Sequence, residues 1–302
     1  MLKKLPDNFD PTRKNYSLYE DVEYREYWKD PSQTRQDRLE NYIISDLLPA
    51  SGRRIIDLGC GYGRLAPCYL DRFSHVVLYD GSLSLLQQAK DAVRGRALCV
   101  AGDVGHLPFK KASFDAVLII RVLQHVHDLE GTFMEMRRII SREGQLVFSY
   151  HNKRNAHRIL NWLISRKIAN PFSKESKEVS PTLLSHHPDL IKRVIRSTGF
   201  SLPVYQGTAI INALADVTDK FAGRGLTGKR WARFMGRFKL APWLIGRATA
   251  EGGETLHPGN LIEDLLQCPA CKGDLGRSTQ AYECAACRRS FPILEGILDF
   301  RL

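Results

Sequence analysis

Nowhere in these 302 residues does an uninterrupted apolar run approach the roughly 18 positions that a membrane-crossing helix needs. An apolar leader is missing as well, because Lys3 and Lys4 are followed by Pro6, Asp7 and Asn8, so a cytoplasmic location is expected. No internal repeat is present, which argues against a solenoid or propeller. Cys60, Cys68 and Cys99 stand singly in apolar surroundings, as small buried hydrophobes do, and suit a reducing compartment. Acidic residues are scarce in one region only. Residues 151–250 hold 18 Lys and Arg against 5 Asp and Glu, a surplus of 13 that exceeds the whole-chain net charge of +11. Such a local field attracts polyanions or anionic lipid surfaces, and its plainest alternative is a solvated helix face.

What the chain does contain is alternation. Apolar runs and helical stripes predict a helix over 34–48, then strand 54–58, helix 63–73, strand 75–80, helix 83–93, strand 97–101, strand 114–120, helix 129–141 and strand 145–150. That order predicts an α/β fold, a doubly wound, mainly parallel sheet with helices on both faces. Beyond Tyr150 the pattern loosens. Helices are expected around Ile159–Ile164, Pro188–Thr198 and 210–240, with strands at Phe200–Tyr205 and Ala241–Arg247. Residues 1–30, rich in Tyr and polar side chains without a period, read as a lid or extension. Residues 251–261, with Gly252, Gly253, Pro258 and Gly259, read as a linker. The expected domains are therefore 1–250, with a core at 34–150 and a basic helical insertion within 151–240, and a small unit at 262–302.

The first strand closes in Ile55-Ile56-Asp57-Leu58 and runs into Gly59-Cys60-Gly61-Tyr62-Gly63. Alternate glycines allow a sharp backbone turn and close approach of a ligand. The spacing is not that of a pyrophosphate-binding dinucleotide loop. Asp80 ends the second strand, with Gly81 next; Asp103 follows the third in Ala101-Gly102-Asp103-Val104; Phe114-Asp115 opens the fourth. Any one of these acids reads as a helix cap or turn residue. As a set, from about Asp57 to Tyr150, they resemble the class I S-adenosylmethionine-dependent methyltransferases, above all the broad group that acts on quinones and small molecules.

That resemblance implies a seven-stranded, Rossmann-like sheet and S-adenosylmethionine as methyl donor. It implies that Asp57, Gly59, Cys60, Gly61 and Gly63 surround the methionine part, and that Asp80 and Gly81 serve the ribose. Asp103 and the Val104 amide would then receive the adenine, with Ile120 and Arg121 beside the methionine moiety. Gln124 and His125 would fall near the acceptor, where His125, with an ordinary pKa of about 6.5, is a candidate general base. Arg121 and Gln124 depart from the family's usual residues, and the departure concerns the acceptor side. His75, His106 and His127 read as ordinary loop or surface histidines.

A second motif stands apart. Cys268-Pro-Ala-Cys271 and, twelve residues later, Cys284-Ala-Ala-Cys287 supply four thiolates in paired knuckles, a set suited to tetrahedral zinc, with an iron–sulfur centre or disulfides as less fitting readings. A unit of about 40 residues buries too little surface to fold without such help. Four ligands leave no open position, so the zinc is expected to be structural. The flanks, Leu265-Leu266-Gln267 and Phe291-Pro292-Ile293-Leu294-Glu295-Gly296-Ile297-Leu298-Asp299-Phe300, resemble the zinc ribbon of the small activator subunit of tRNA, rRNA and release-factor methyltransferases. The resemblance implies a ribbon docked on its own catalytic domain.

The function expected from these resemblances is methyl transfer by in-line displacement to a small-molecule or lipid-linked acceptor, with peripheral contact to an anionic membrane. One alternative is an RNA methyltransferase that uses the basic 151–250 segment; another is a non-catalytic scaffold that keeps the cofactor fold. The loop after the fourth strand lacks an Asn-Pro-Pro-Tyr sequence, which argues against amino-group chemistry on adenine or glutamine.

Overall fold

The protein was analysed as a computed structural model that describes residues 28, 30–166, 169–180, 183–208, 232–234 and 236–302. The order of elements is α1 (Pro31–Leu47), β1 (Gly52–Leu58), β2 (Phe73–Asp80), α2 (Leu83–Val93), β3 (Leu98–Ala101), β4 (Phe114–Ile119), α3 (Leu129–Ile139), β5 (Ile140–His151), α4 (Ala156–Ser165), β6 (Lys177–Ser180), β7 (Leu183–Ser185), α5 (Pro188–Ser197), β8 (Val204–Gly207), β9 (Trp243–Thr249), β10 (Leu275–Arg277), β11 (Ala281–Cys284), β12 (Ser290–Leu294) and β13 (Ile297–Asp299).

The expected doubly wound sheet is present, with strands ordered β3-β2-β1-β4-β5-β9-β8. The pairs from β3 to β5 are parallel, and β9 and β8 add antiparallel strands at one side. Central strands are near-continuous apolar runs because helices cover both faces; Ile55, Ile56 and Leu58 of β1 are fully buried. Ser82 starts α2 by accepting the Leu85 N–H at 3.2 Å, and Asp128 starts α3 by accepting the Gly131 N–H at 2.9 Å. The chain order reverses between β1 and β4, which opens a crevice beyond the carboxyl ends of the strands.

The sheet does not stop at β3. Strand β13 pairs parallel with it, Leu298 opposite Val100 and Asp299 opposite Ala101, and β12, β11 and β10 follow in antiparallel order. The result is one eleven-stranded sheet in which the cysteine-bearing module covers the edge of β3. Leu265, Leu266, Phe291 and Phe300 lie in the same buried cluster as Val100, Leu107 and Phe109. Backbone bonds tie the two parts, the Lys110 N–H donating to Leu265 O at 2.8 Å and the Gln267 N–H to Pro108 O at 2.9 Å.

The connecting segment is strapped down. Arg54, wholly buried in β1, donates to Gly259 O at 2.9 Å and to His257 O, while the Asp115 carboxylate accepts the Arg53 and Arg54 N–H groups.

Several elements differ from the sequence pattern. The helix expected over 63–73 is a series of turns with one short 3-10 segment, Ala66–Cys68, since Pro67 has no N–H to continue a helical ladder. The strand expected at 200–205 begins at Val204, after Pro203, and β5 starts at Ile140, five residues earlier than the alternation suggested. The β6–β7 hairpin had no clear period to announce it. Of the 210–240 helix, 232–234 and 236–238 are helical, and Lys239 and Leu240 lie past its end; the remainder, and the N-terminal extension apart from Trp28 and Asp30, lie outside the described residues.

Candidate cofactor and acceptor site

Three glycines make the turn after β1, with φ of 74° at Gly59, 55° at Gly61 and 78° at Gly63. At Gly59 a Cβ would lie 2.2 Å from Val122 Cγ2, so glycine is required by space as well as by conformation. The turn is fixed to the neighbouring strand by Gly59 N–H donating to Tyr79 O at 2.7 Å. It is fixed again by the Gly61 N–H donating to Asp80 Oδ2 at 2.8 Å. The other oxygen of Asp80 accepts the Ser82 N–H at 3.0 Å, which orients the carboxylate at the end of β2 beside Gly81.

Asp57 lies beneath this turn, 1% exposed, and accepts the Tyr69 hydroxyl at 2.6 Å. Burial raises its pKa to about 7, against the opposing pull of the Tyr69 hydrogen bond and Arg64, with Asp80 adding to the rise. Its side chain therefore supports the loop from below. Cys60 is buried in the turn, and burial pushes its thiol well above the usual range, so it stays protonated. Asp103 ends the third arm of the crevice: its Oδ1 accepts the Gly105 N–H at 2.9 Å, and its carbonyl accepts the Tyr79 hydroxyl at 2.9 Å. Val104 follows, half-buried.

On the other side of the crevice, β4 is followed by buried Ile120 and then Arg121, whose φ of 59° turns the chain. The Arg121 side chain points to Glu40 of α1, with Nη2 to Oε1 at 2.6 Å, and lies over the Trp243 ring at 4.4 Å and the Trp28 ring at 5.0 Å. Arg64 shares the same carboxylate at 3.0 Å and lies 4.0 Å over Trp28. Sequence reading missed this cluster, because Glu40 belongs to a helix stripe that looks like an ordinary solvent-facing position. Gln124 is 4% exposed; its amide nitrogen donates to Arg121 O and sits 3.2 Å from His125 Nε2, while its Oε1 has no hydrogen-bond partner among the described residues.

His151, at the end of β5, was also missed. It packs edge-on against Trp243 with centroids 5.1 Å apart, and its Nδ1 has no partner among the described residues. Burial, followed by the nearby charges of Arg158, His186 and Arg121, lowers its pKa to about 4, so it is a neutral imidazole at physiological pH. His186 behind it is held by Leu123 O and the Ser176 hydroxyl at 3.0 and 2.8 Å.

The four cysteines of the module meet, with all Sγ atoms within 4.8 Å of one another. Cys268 and Cys287 are separated by 3.6 Å and Cys271 and Cys284 by 3.4 Å. Thiolates about 2.3 Å from a common zinc stand roughly 3.8 Å apart, so this donor set fits the ion without rearrangement. The Cys287 N–H donates to Cys284 Sγ at 3.4 Å, and with the Ala286 N–H it favours the Cys284 thiolate. Gly273 completes the cradle: a Cβ there would lie 3.1 Å from the Ala286 Cβ and 3.3 Å from Cys271 Sγ.

Residues 56–148 match the family described as a methyltransferase domain. Uncharacterized protein MJ0638 of Methanocaldococcus jannaschii is 36% identical over 126 residues, 42% of this chain and 50% of that protein. Demethylmenaquinone methyltransferase of Thermobifida fusca is 33% identical over 129 residues, 40% of this chain and 54% of that enzyme. The chain thus spans about half the length of the curated relatives it matches. Among solved structures, a Haloferax volcanii complex containing the Trm112 methyltransferase activator superimposes with a TM-score of 0.55 at 17% identity, over 80% of this chain and 99% of that one, a likeness of fold.

Proposed function

We propose, from the premise that residues 56–148 are a class I S-adenosylmethionine-dependent methyltransferase domain, that this protein transfers a methyl group to a small-molecule or lipid-linked acceptor. The observation that carries the reading is the convergence of a positive-φ glycine turn with Asp57, Asp80 and Asp103 at the carboxyl ends of β1, β2 and the segment after β3. In this reading Gly59, Cys60, Gly61 and Gly63 hold the methionine part, with Ile120 and the Arg121 backbone on its other flank. Asp80 and Gly81 receive the ribose, and Asp103 with Val104 the adenine.

S-adenosylmethionine supplies a sulfonium methyl that reacts by in-line displacement, chemistry that needs positioning more than covalent help. Orientation of that kind is worth up to roughly 7–11 kcal/mol of barrier. The chain's contribution is a rigid floor: Asp57 and Tyr69 hold the loop, and Glu40 with Arg121 fixes the end of β4. On the acceptor side Gln124, His125 and neutral His151 offer polar groups in otherwise apolar walls. A hydroxyl acceptor needs a group to take its proton, and in this reading His125, in the 3-10 turn that follows β4, does so. The four-thiolate site would hold zinc in a closed, structural role.

The test is calorimetry with S-adenosylhomocysteine, followed by incubation with methyl-labelled donor and separated lipid, metabolite, protein and RNA fractions. Label in the lipid or metabolite fraction is expected. Label in RNA alone would replace the acceptor with the basic-segment alternative, and absence of binding by folded protein would remove the methyltransferase reading.

A further inference from the structure

Helix α4 presents its apolar face to solvent. Apolar side chains occupy one broad arc of this ten-residue helix, Ile159, Leu160, Trp162, Leu163 and Ile164, while His157, Arg158, Asn161 and Ser165 occupy the other. In an ordinary surface helix the first arc would be buried. Here no residue of the helix is buried, and Leu160, Leu163 and Ile164 are 56%, 54% and 75% exposed.

The helix is nonetheless held firmly at its root. Asn155 caps it by accepting the Arg158 N–H at 3.0 Å and donates to Asn152 O at 2.9 Å, and buried Asn152 donates to the Lys239 and Ala241 carbonyls at 2.8 Å. A rigid base that displays an aliphatic face is a different matter from a frayed end.

Its surroundings are cationic. Between residues 153 and 185 the sequence has seven Lys and Arg against two Asp and Glu; of these cations Lys153 is buried, and Arg166 and Lys174 are exposed. Arg166 lies 3.9 Å over the Trp162 ring, Trp162 meets Phe172 edge-on at 5.7 Å, and Phe172 is itself 45% exposed. Leucine and isoleucine provide neither hydrogen bonds nor stacking faces for bases, and the two aromatic rings pack on each other, so the patch is a poor match for RNA. An apolar stripe with an aromatic belt and a basic rim matches the interface of an anionic bilayer, where the stripe enters the acyl boundary and the cations stay among headgroups.

We propose that α4, with Phe172, is a docking surface for an anionic lipid membrane. The surface is read from exposed residues alone; its use in delivering a lipid-linked acceptor rests on the methyl-transfer reading above. Helix α4 follows His151 at the carboxyl end of β5, where the His186 N–H donates to His151 O at 2.9 Å, so its root lies at the end of the sheet that opens into the crevice.

The test uses the full zinc-loaded chain with vesicles of equal parts phosphatidylcholine and phosphatidylglycerol, in flotation and in fluorescence titration. Binding is expected to these vesicles and not to pure phosphatidylcholine. The double substitution Leu163→Glu with Ile164→Glu should weaken it at least tenfold, and Lys174→Gln, which leaves the apolar stripe intact, roughly fivefold, the equivalent of one surface cation. Both variants should keep wild-type melting temperature and S-adenosylhomocysteine affinity, because none of these side chains is buried. Vesicle binding that is absent, or indifferent to the double substitution, overturns the docking surface while the methyltransferase reading stands on the calorimetry. A dimer in sedimentation that dissociates in the double variant, or loss of RNA binding in its place, also overturns it.

Discussion

Arg121 and Glu40 form a buried ion pair across the mouth of the crevice, 10% and 2% exposed, with both Nε and Nη2 of the arginine directed at the carboxylate. Their partners lie far apart in sequence, yet the pair joins α1 to the end of β4, and Arg64 from the glycine loop joins the same carboxylate. One acid thus locks two walls of the crevice. Glu40→Ala leaves the Arg121 guanidinium without its carboxylate in a desolvated space, while Arg64 keeps its ion pair with Asp37, and breaking a buried pair in this way costs about 3–5 kcal/mol. Urea unfolding of the variant should show that loss. A change under about 1 kcal/mol would mean that solvent or other groups compensate the arginines.

Asp57 sets a pH dependence of stability. Its pKa rises to about 7 in the fold from an ordinary 3.8. Between about pH 4 and pH 7 the folded protein keeps a proton that the unfolded chain has released. Its contribution to stability is therefore lost as pH rises through this window, by up to roughly 1.4 kcal/mol per pH unit, and is level above about pH 7. Asp57→Asn cannot ionise and still accepts the Tyr69 hydroxyl. The variant should gain on the wild type steadily from pH 5 to pH 7, measured by urea unfolding at each pH. Parallel profiles for the two proteins would contradict a neutral Asp57.

Gly59 faces two penalties on substitution. Its φ of 74° costs a side-chain-bearing residue about 1–2 kcal/mol, and the new Cβ would lie 2.2 Å from Val122 Cγ2. Gly59→Ala should lose at least 2 kcal/mol of stability and weaken S-adenosylhomocysteine at least tenfold, as the turn shifts. The double change with Val122→Ala removes the clash and leaves the conformational penalty, so it should recover part of both losses. A double variant no better than the single one would show that the turn is not constrained by Val122.

The strand ends and the cysteine knuckles were legible in the sequence because each is a local pattern: an apolar run closed by an acid, or four thiols at fixed spacing. What carried no local signal is the pairing between distant segments. Glu40 and Arg121 are 81 positions apart, and the embrace of Gly259 by Arg54 spans 205. Nothing local in Ile297-Leu298-Asp299 announces that it pairs with β3. His151 escaped notice because a histidine closing an apolar strand differs in no way from an ordinary one until Trp243 and His186 fold around it. Pro67 was present in the expected 63–73 helix, and its missing N–H explains the turns found there.

The four-thiolate site and the crevice share an edge of the sheet, so removal of a metal held there should be felt at both. Cys268 lies in the cluster that contains Leu107 and Phe109, and β13 supplies the hydrogen-bonding partner of β3, ending with the Phe300 N–H on Ala101 O at 2.8 Å. Two residues beyond Ala101 stands Asp103; across the crevice mouth Arg301 reaches toward Gly81 O at 3.5 Å. Without four thiolates drawn to an ion, strands β10 to β13 lose the constraint that orders so small a unit, and structural zinc can supply about 10–16 kcal/mol in such modules. Chelation, or Cys268→Ser, should therefore release close to one equivalent of zinc, lower the melting temperature and weaken S-adenosylhomocysteine at least tenfold through loss of order at Asp103. Cobalt substitution should give the absorption of a tetrahedral four-thiolate centre. If chelated protein kept its melting temperature and nucleoside affinity but ceased to transfer methyl groups, the metal would have a role in the reaction that a closed four-thiolate site does not provide.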